Sequence, residues 1–127
     1  TMAPNLKFYL SLSLSLCLSL SLCILGVCSG VLISQWPTSV TERVGASVKI
    51  QCYQNETDHD YIYWYRQTPT RGFQLMTYYN RLSKQLTPED GFNKTEYEVT
   101  EPQNKLVVLR IVSVKPEDMA RYFCAAS

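Results

Sequence analysis

Two cysteines constrain the fold of this chain more than any other feature. Cys52 and Cys124 lie 72 residues apart, with Trp64 twelve residues after the first and Tyr122 two residues before the second. This combination is typical of a two-sheet antiparallel sandwich, in which two cysteines join the facing sheets, a tryptophan packs on the bridge and a tyrosine holds the corner before the last cysteine. Each residue alone is weak evidence. The four together, at this spacing, predict that architecture.

Residues 1–30 have the pattern of a secretory signal peptide. Lys7 and the amino terminus supply a positive start, and residues 8–28, written largely as alternating Leu and Ser, supply an apolar core. The small residues Ser29 and Gly30 follow, as signal peptidase requires, so we predict cleavage after one of them. The alternative is an uncleaved membrane anchor, because about 20 apolar residues can span a bilayer. The serines and the small-residue exit favour cleavage.

Cleavage would leave one domain, residues 31–127, that keeps an even number of cysteines. Cys17, Cys23 and Cys28 are three of the five cysteines, and all three leave with the signal peptide. Two remaining cysteines in an oxidising compartment indicate one structural disulfide. Closing a loop of 72 residues would stabilise the fold by roughly 4 kcal/mol.

The charge and the side-chain inventory exclude several classes of function. Residues 31–127 carry eleven basic and eleven acidic side chains, so no basic field exists to attract nucleic acid. The single histidine, His59, has neither a CxxC motif nor a serine or cysteine nucleophile beside it. The sequence predicts no glycine-rich phosphate loop and no paired carboxylates placed on a scaffold. We therefore predict no enzyme, no metal site and no cofactor. Binding through loops remains.

Short alternating runs separated by polar turns predict an all-β domain. The predicted strands are 47–54, 61–67, 73–79, 97–100, 106–112 and 121–125, with turns at 68–72 and 115–118. Alternation predicts the following inward residues: Val48, Ile50, Cys52, Ile62, Trp64, Val107, Leu109 and Ile111, with Val114 continuing the core. Such short strands and frequent turns favour a two-sheet antiparallel sandwich.

The corner before the last predicted strand carries Asp118 and Tyr122. We expect the Tyr122 hydroxyl to reach back to the backbone of this corner while its ring stays in the core. Asp118 has two interpretations. It pairs with a cation, for which Lys94 and Arg43 are candidates, or it is a solvated turn acid.

Three stretches of the sequence resemble immunoglobulin V-type domains. They are Trp64-Tyr-Arg-Gln67, Asp118-x-Ala120 and Tyr122-Phe-Cys124. Residues 31–127 resemble T-cell receptor variable segments in particular, and the stretches 72–75 (GFQL) and 77–79 (TYY) resemble the β-chain version. The resemblance implies an immunoglobulin V-type two-sheet antiparallel sandwich with Trp64, Tyr122 and Asp118 as its core signature and a Cys52–Cys124 disulfide.

The ending Tyr122-Phe-Cys-Ala-Ala-Ser127 is similar to the end of an unrearranged germline variable segment. Receptors of that family continue through a third hypervariable loop into a Phe-Gly-x-Gly strand. The resemblance therefore implies that the last strand of the sandwich is missing. We expect an unpaired sheet edge beside the strand of Cys124.

The resemblance also implies two antigen-contacting loops at one end of the sandwich. The first is Asn55, Glu56, Thr57, Asp58, His59 and Asp60, and the second is Tyr79, Asn80, Arg81, Leu82, Ser83 and Lys84. Tyrosine offers a large contact area at low entropic cost, and Asn, Ser and Arg offer adaptable hydrogen bonds. The alternative is that these polar loops are merely solvated.

A second candidate surface lies on a sheet face. Alternation places Tyr65, Gln67, Leu75 and Phe123 outside the core, and an apolar, aromatic patch on a sheet indicates an interface. The resemblance implies a chain-pairing face, on which Gln67 meets its counterpart in a partner variable domain. The alternative is that aromatic side chains simply cover the sheet.

Two sequence motifs predict N-glycosylation. They are Asn55-Glu-Thr57 and Asn93-Lys-Thr95, and neither has proline in the middle position. A glycan on Asn55 would lie in the first antigen-contacting loop.

The leading functional hypothesis implied by the resemblance is a T-cell receptor variable domain, of the β chain, that binds peptide–MHC antigen. It would pair with an α-type variable domain and signal through associated subunits, at the extracellular side of the plasma membrane. The first alternative is a V-type innate immune or adhesion receptor that binds a protein ligand without rearrangement. A second alternative is a soluble immunoglobulin light chain, against which the Tyr-Arg-Gln after Trp64 argues.

Overall fold

A computed structural model describes residues 5–10, 32–37, 39–55 and 58–127, and β-strands dominate these ranges. The strands are β1 (Asn5–Leu10), β2 (Leu32–Trp36), β3 (Ser39–Arg43), β4 (Val48–Asn55), β5 (Tyr61–Thr68), β6 (Gly72–Asn80), β7 (Gln85–Pro88), β8 (Tyr97–Gln103), β9 (Leu106–Ile111) and β10 (Arg121–Ala126). One turn of 3-10 helix, Pro116–Asp118, precedes β10. In these ranges, no helix has the length and apolar character needed to cross a membrane.

The strands form two sheets that face each other. The four-stranded sheet has the order β2-β4-β9-β8, and the six-stranded sheet has the order β3-β1-β10-β5-β6-β7. All pairs are antiparallel except β1 with β10. The predicted all-β sandwich is confirmed, and each of the six predicted strands is present. The sequence did not predict β1, β2, β3 or β7.

One predicted strand boundary is wrong. We predicted that a strand beginning at Tyr97 would end at Thr100, before Pro102, but β8 continues through the proline to Gln103. The pairing of β8 with β9 is irregular between Thr100 and Gln103. Proline cannot donate a ladder hydrogen bond, so it interrupts pairing at this position while the chain remains extended.

Alternation along β4 and β9 builds the centre of the core. Ile50 lies opposite Leu109 and Cys52 lies opposite Val107 across the two strands, and all four side chains are buried. Val114, beyond the end of β9, is also buried. The predicted inward row is therefore confirmed, because residues two apart on a strand share a face.

The two sheets are joined beside the tryptophan. Cys52 on β4 and Cys124 on β10 form a disulfide with a Cα–Cα distance of 6.5 Å. Trp64 on β5 lies opposite Cys124 and is fully buried. The disulfide and the buried tryptophan implied by the resemblance are therefore present.

A buried glutamine adds a polar link between the sheets at the same place. The Gln35 side-chain Nε2 donates to the Tyr122 carbonyl at 2.6 Å, and its Oε1 accepts from the Cys124 amide at 3.1 Å. Gln35 lies on β2, in the sheet opposite β10. Its side chain thus forms hydrogen bonds between the two sheets. Sequence reasoning missed it.

The corner before β10 has the predicted tyrosine bond but not the predicted ion pair. The Tyr122 hydroxyl donates to the Asp118 carbonyl at 2.6 Å. The cation beside Asp118 is Arg66, at 4.0 Å between Nη1 and Oδ1, so the candidates Lys94 and Arg43 were wrong. Arg66 is there because the β5–β10 register places it opposite Tyr122.

Burial also affects the protonation of this corner. It raises the pKa of Asp118, although the Lys115 amide, which donates to Oδ2 at 2.8 Å, and the charge of Arg66 act in the opposite direction. Burial likewise raises the pKa of the Tyr122 hydroxyl. Both groups therefore belong to a partly desolvated corner rather than to a solvated turn.

The edge of β10 differs from the expectation of an unpaired strand. The strand β1 pairs antiparallel with β3 and parallel with β10, where Tyr9 is opposite Arg121 and Leu10 is opposite Tyr122. Part of that edge is therefore covered. Residues 5–10 fall in the predicted signal peptide, whose remaining residues lie outside the described ranges, so cleavage after Ser29 or Gly30 stays a prediction.

Replacing Gln35 by Ala should destabilise the sandwich strongly. The substitution leaves the Tyr122 carbonyl and the Cys124 amide buried without their partner, and each such group costs about 1–3 kcal/mol. We expect the free energy of unfolding to fall by about 2–4 kcal/mol, measured by urea denaturation. The control is Gln103→Ala at an exposed position, with an expected change within about 0.5 kcal/mol. Equal effects in both variants would contradict the role of Gln35.

Candidate functional site

Three strand connections meet at one end of the sandwich, which we call the loop end. They join β4 to β5, β6 to β7 and β8 to β9. The register places Tyr61 opposite Asn80 in one sheet and Tyr53 opposite Leu106 in the other. Each pair lies near the end of its strands, where a connection begins. The loop end thus contains both loops predicted from the sequence and a third segment, residues 101–105, that was not predicted.

Arg81 lies at the centre of the loop end and is only 8% exposed. Its Nη1 donates to Asp58 Oδ1 at 2.7 Å and to the His59 carbonyl at 2.8 Å. Its Nε and Nη2 donate to Glu101 Oε2 at 3.0 and 2.8 Å, and Nη2 also donates to Asn104 Oδ1 at 2.9 Å. These five contacts use the full donor capacity of a guanidinium.

Glu101 is the main carboxylate of this cluster, with a side chain that is 6% exposed. Besides Arg81, it accepts from Lys84 Nζ at 3.0 Å and from the Lys105 amide at 3.1 Å. Burial alone would raise its pKa, but the hydrogen bonds from Arg81, Lys84 and Lys105 outweigh it and lower the pKa. The carboxylate is therefore kept charged by its partners.

The other members of the cluster show matching shifts. The hydrogen bond from Arg81 is the largest cause of a lowered pKa at Asp58. Burial acts to lower the pKa of Arg81, but its bonds to Glu101 and Asp58 outweigh burial and raise it. The charges on both sides of the cluster thus stabilise one another.

Hydrogen bonds to the backbone of residues 59 and 60 hold the first loop in place. The fully buried Gln54 side chain donates to the His59 carbonyl at 2.9 Å and accepts from the His59 amide at 2.7 Å. The Arg81 amide donates to the Asp60 carbonyl at 2.8 Å. Residues 58–60 are therefore held by both neighbouring segments.

Several predicted loop residues present accessible side chains. Leu82, at 77% exposure, lies at the tip of the second loop together with the exposed Ser83 and Lys84. Asn80 Oδ1 accepts from the Leu82 and Ser83 amides at 3.0 and 3.3 Å and so holds the turn. In the first loop Asp58 is exposed. Glu56, Thr57 and the Asn55 side chain lie outside the described part of the chain.

Two residues predicted to contact antigen are placed differently by the structure. Tyr79 is 4% exposed and belongs to the core, and Arg81 is buried as described above. The register shifts in β6 next to Met76, so Leu75 faces outward while Tyr79, three pairs further on, faces inward. Both residues support the second loop from inside instead of forming its surface.

The outer face of the six-stranded sheet brings the predicted pairing residues together. Tyr65 lies opposite Leu75 on β6 and opposite Phe123 on β10, and Gln67 lies opposite Phe73. Phe73 is 56% exposed and stacks on Phe123, with ring centroids 4.9 Å apart. Phe123 is buried but lies outside the core cluster, as alternation predicted. We call these five residues the pairing face, after the role that the sequence predicts for four of them.

Aromatic side chains extend this face toward the loop end. The rings of Tyr61, Tyr63 and Tyr78 lie 6.1–6.4 Å apart, and the Ser127 hydroxyl donates to the Tyr63 hydroxyl at 3.1 Å. Alternation predicted that Tyr63 faces outward with Tyr65, but the sequence analysis did not include Phe73 or these tyrosines in the candidate pairing surface. Alternation could have found Tyr61, Tyr63 and Phe73, since they share the parity of Tyr65 and Leu75 on their strands.

Among the described residues, no group of three or more His, Cys, Asp or Glu side chains could hold a metal ion.

Comparison with known proteins gives a consistent result. The immunoglobulin V-set domain family matches residues 35–127. The human protein "T cell receptor beta variable 20-1" is 36% identical over 97 residues, which cover 76% of this chain and 86% of that protein. The human "T cell receptor beta variable 18" is 32% identical over 106 residues, which cover 83% of this chain and 90% of that protein.

The fold is shared with solved structures as well. A chain described as "Marsupial T cell receptor" superposes with a TM-score of 0.68 at 21% identity, over 77% of this chain. The aligned part is 45% of that longer chain, so this protein corresponds to less than half of it.

Replacing Glu101 by Gln should remove an acid-sensitive contribution to stability. The folded pKa of Glu101 lies below its ordinary value of 4.5, so the stabilisation is present at neutral pH and is lost as pH falls through the folded pKa. We expect wild type to be more stable than Glu101→Gln at neutral pH, with a difference that shrinks as pH falls below about 4.3. Denaturant titrations over a pH series measure this. A difference that stays constant down to about pH 3 would contradict it.

Proposed function

The chain belongs to the immunoglobulin V-set family as a T-cell-receptor-type variable domain, and from that premise we propose that it is the variable domain of a receptor β chain. It pairs with an α-type variable domain through the pairing face. It binds a peptide held by a histocompatibility molecule through the loop end. Signalling belongs to associated subunits, and the receptor acts at the extracellular side of the plasma membrane.

The observation that carries the proposal is the aromatic pairing face, on which Phe73 is 56% exposed. Phe73 projects from β6 over Phe123, beside the half-buried Tyr65 and Leu75. Contiguous aromatic and aliphatic groups of this kind are enriched at the buried centre of protein interfaces. This face of the sheet offers a partner an apolar area, and the half-buried Gln67 offers an amide that can form hydrogen bonds.

The loop end supports the ligand-binding part of the proposal. Its tips expose Asp58, Leu82, Ser83 and Lys84, which mix charge, hydroxyl and apolar contacts on one surface. Loops of varied polar chemistry on a rigid sandwich are the common means of recognising peptide and protein surfaces in this architecture. Binding there leaves the pairing face free for the second chain.

Replacing Phe73 by Asp should weaken pairing with an α-type variable domain. A carboxylate would be buried against Phe123 and Tyr65 in the complex, where an unpaired charge is costly. We expect the Kd for pairing to rise by at least about tenfold. Surface plasmon resonance measures it, with one chain immobilised and the other in solution.

The matched control is Leu82→Asp, which adds the same charge at an exposed residue of the loop end. It should leave pairing unchanged and reduce binding of a histocompatibility ligand instead. If Phe73→Asp and Leu82→Asp affected pairing equally, the assignment of the pairing face would be wrong.

We further propose that Asn93 carries an N-linked glycan, as Asn55 would in the first loop. Asn93 is exposed between β7 and β8, and its Oδ1 accepts from the Thr95 amide and hydroxyl at 3.0 and 2.9 Å. The acceptor amide and the hydroxyl of the motif are therefore in contact. Both lie outside the pairing face.

Glycosidase digestion of chain expressed in animal cells tests this. We expect Asn93→Gln and Thr95→Ala each to remove one glycan, whereas Thr95→Ser keeps it because serine preserves the motif. A chain whose mobility on gels is the same for wild type and Asn93→Gln would show that the site is not used.

A further inference from the structure

We propose that Arg81 is a positioning residue that locks the three connections of the loop end into one arrangement before any ligand binds. The inference rests on the proposed function only in taking the loop end as the ligand-binding surface. It assigns to Arg81 a role under that surface instead of on it.

The contacts of Arg81 reach segments that are far apart in sequence. Arg81 belongs to the β6–β7 connection, Asp58 and His59 belong to the β4–β5 connection, and Glu101 and Asn104 belong to the third segment. The sequence separations of these bonds are 20–23 residues. One side chain therefore joins all three.

Burial keeps water away from the contacts of Arg81. The side chains of Arg81 and Glu101 are 7% and 6% exposed, so water cannot readily replace either partner. A buried charge that loses its partner is strongly disfavoured. Two guanidinium nitrogens also share one Glu101 oxygen, Oε2, which fixes the orientation of the planar group as well as its distance.

Lysine could not replace arginine here. Its ammonium is a compact point charge with three donors, whereas the guanidinium presents five donors in a planar fork. The bonds to Asp58, Glu101 and Asn104 leave Arg81 in different directions from different nitrogens. A lysine at position 81 would reach one segment and release another.

The consequence for recognition is a preformed surface. The residues at the tips, Asp58, Leu82 and Lys84, stay accessible while the chain beneath them is held. Less loop ordering is then needed on binding, which lowers the entropic cost and slows dissociation.

Lys84 provides a matched control for Arg81. Its ammonium donates to the same carboxylate at 3.0 Å, but its side chain is 62% exposed. Removing Lys84 therefore removes one positive charge from the cluster without disconnecting the first loop.

Hydrogen exchange on the full 127-residue chain tests the proposal without a ligand. The reporters are the amides of His59 and Lys105, which bond to Gln54 and Glu101 in the first and third segments. In Arg81→Met we expect exchange at both amides to accelerate about ten- to a hundredfold, and in Arg81→Lys we expect the same acceleration at one of them. In Lys84→Met we expect less than about a threefold change. Unchanged exchange in the β4 and β9 core amides confirms an intact fold.

A second readout concerns Glu101 itself. Without Arg81, burial acts on this carboxyl with less opposition, so its pKa, followed by NMR, should rise in Arg81→Met. If Arg81→Met fails to fold, Asp58→Ala removes one of the two bonds from the Arg81 guanidinium to the first loop and leaves the bonds to Glu101 and Asn104 in place. It should accelerate His59 exchange while leaving Lys105 protected.

The outcomes separate cleanly. Wild-type protection at His59 in Arg81→Met, or in Asp58→Ala where the first variant does not fold, overturns the proposal. Equal acceleration by Lys84→Met also overturns it, because loss of charge alone would then explain the effect. Failure of the wild-type chain to pair or to bind a histocompatibility ligand would refute the proposed function, while the exchange measurements would still decide the role of Arg81.

Discussion

The junction between β10 and the opposite sheet is the interaction on which the rest of the structure depends. The Cys52–Cys124 disulfide supplies its covalent part, and the two hydrogen bonds of Gln35 to the β10 backbone supply its polar part. Trp64 packs in the same layer, fully buried. Together they fix the spacing of the two sheets at one point of a small domain, where the core alone contributes limited stability. A sheet that could slide at this point would move every loop attached to it.

The same strands that carry the junction also carry the pairing face. On β5 and β10, Trp64 and Cys124 face the interior, while their neighbours Tyr65 and Phe123 face outward. Alternation along a strand makes this separation obligatory. The residues that stabilise the core and those proposed for pairing therefore lie on opposite faces of the same strands. The outer residues can vary in chemistry without disturbing the disulfide.

The sequence predicted those features that depend on the alternation of inward and outward residues along a strand. Alternation located six strands and the inward row of β4, β5 and β9, and the cysteine spacing indicated the disulfide. The resemblance placed Tyr79 in the second antigen-contacting loop, but the bulge at Met76 turns its side chain inward, although Tyr79 shares the parity of Leu75. A bulge adds one residue to a strand without a clear signal in the sequence.

The Arg81 cluster and Gln35 were unpredictable for a different reason. Polar residues at positions 58, 81 and 101 look like separate solvated sites in the sequence, and only the folded chain brings their side chains together. Gln35 likewise bonds to residues 87 and 89 positions away. Long-range polar contacts depend on tertiary placement, which hydrophobic period does not encode. The sequence analysis therefore assigned Arg81 to the surface of the second loop and did not single out Glu101.

The most direct test of the central claim, an antigen-receptor variable domain, is the sequencing of lymphocyte transcripts from the source animal with a primer in the region encoding residues 55–67. We expect Cys124-Ala-Ala to be followed by diverse residues, then by a Phe-Gly-x-Gly strand and a constant domain whose identity assigns the chain type. A single invariant continuation into a membrane helix would contradict the claim and identify a fixed innate or adhesion receptor.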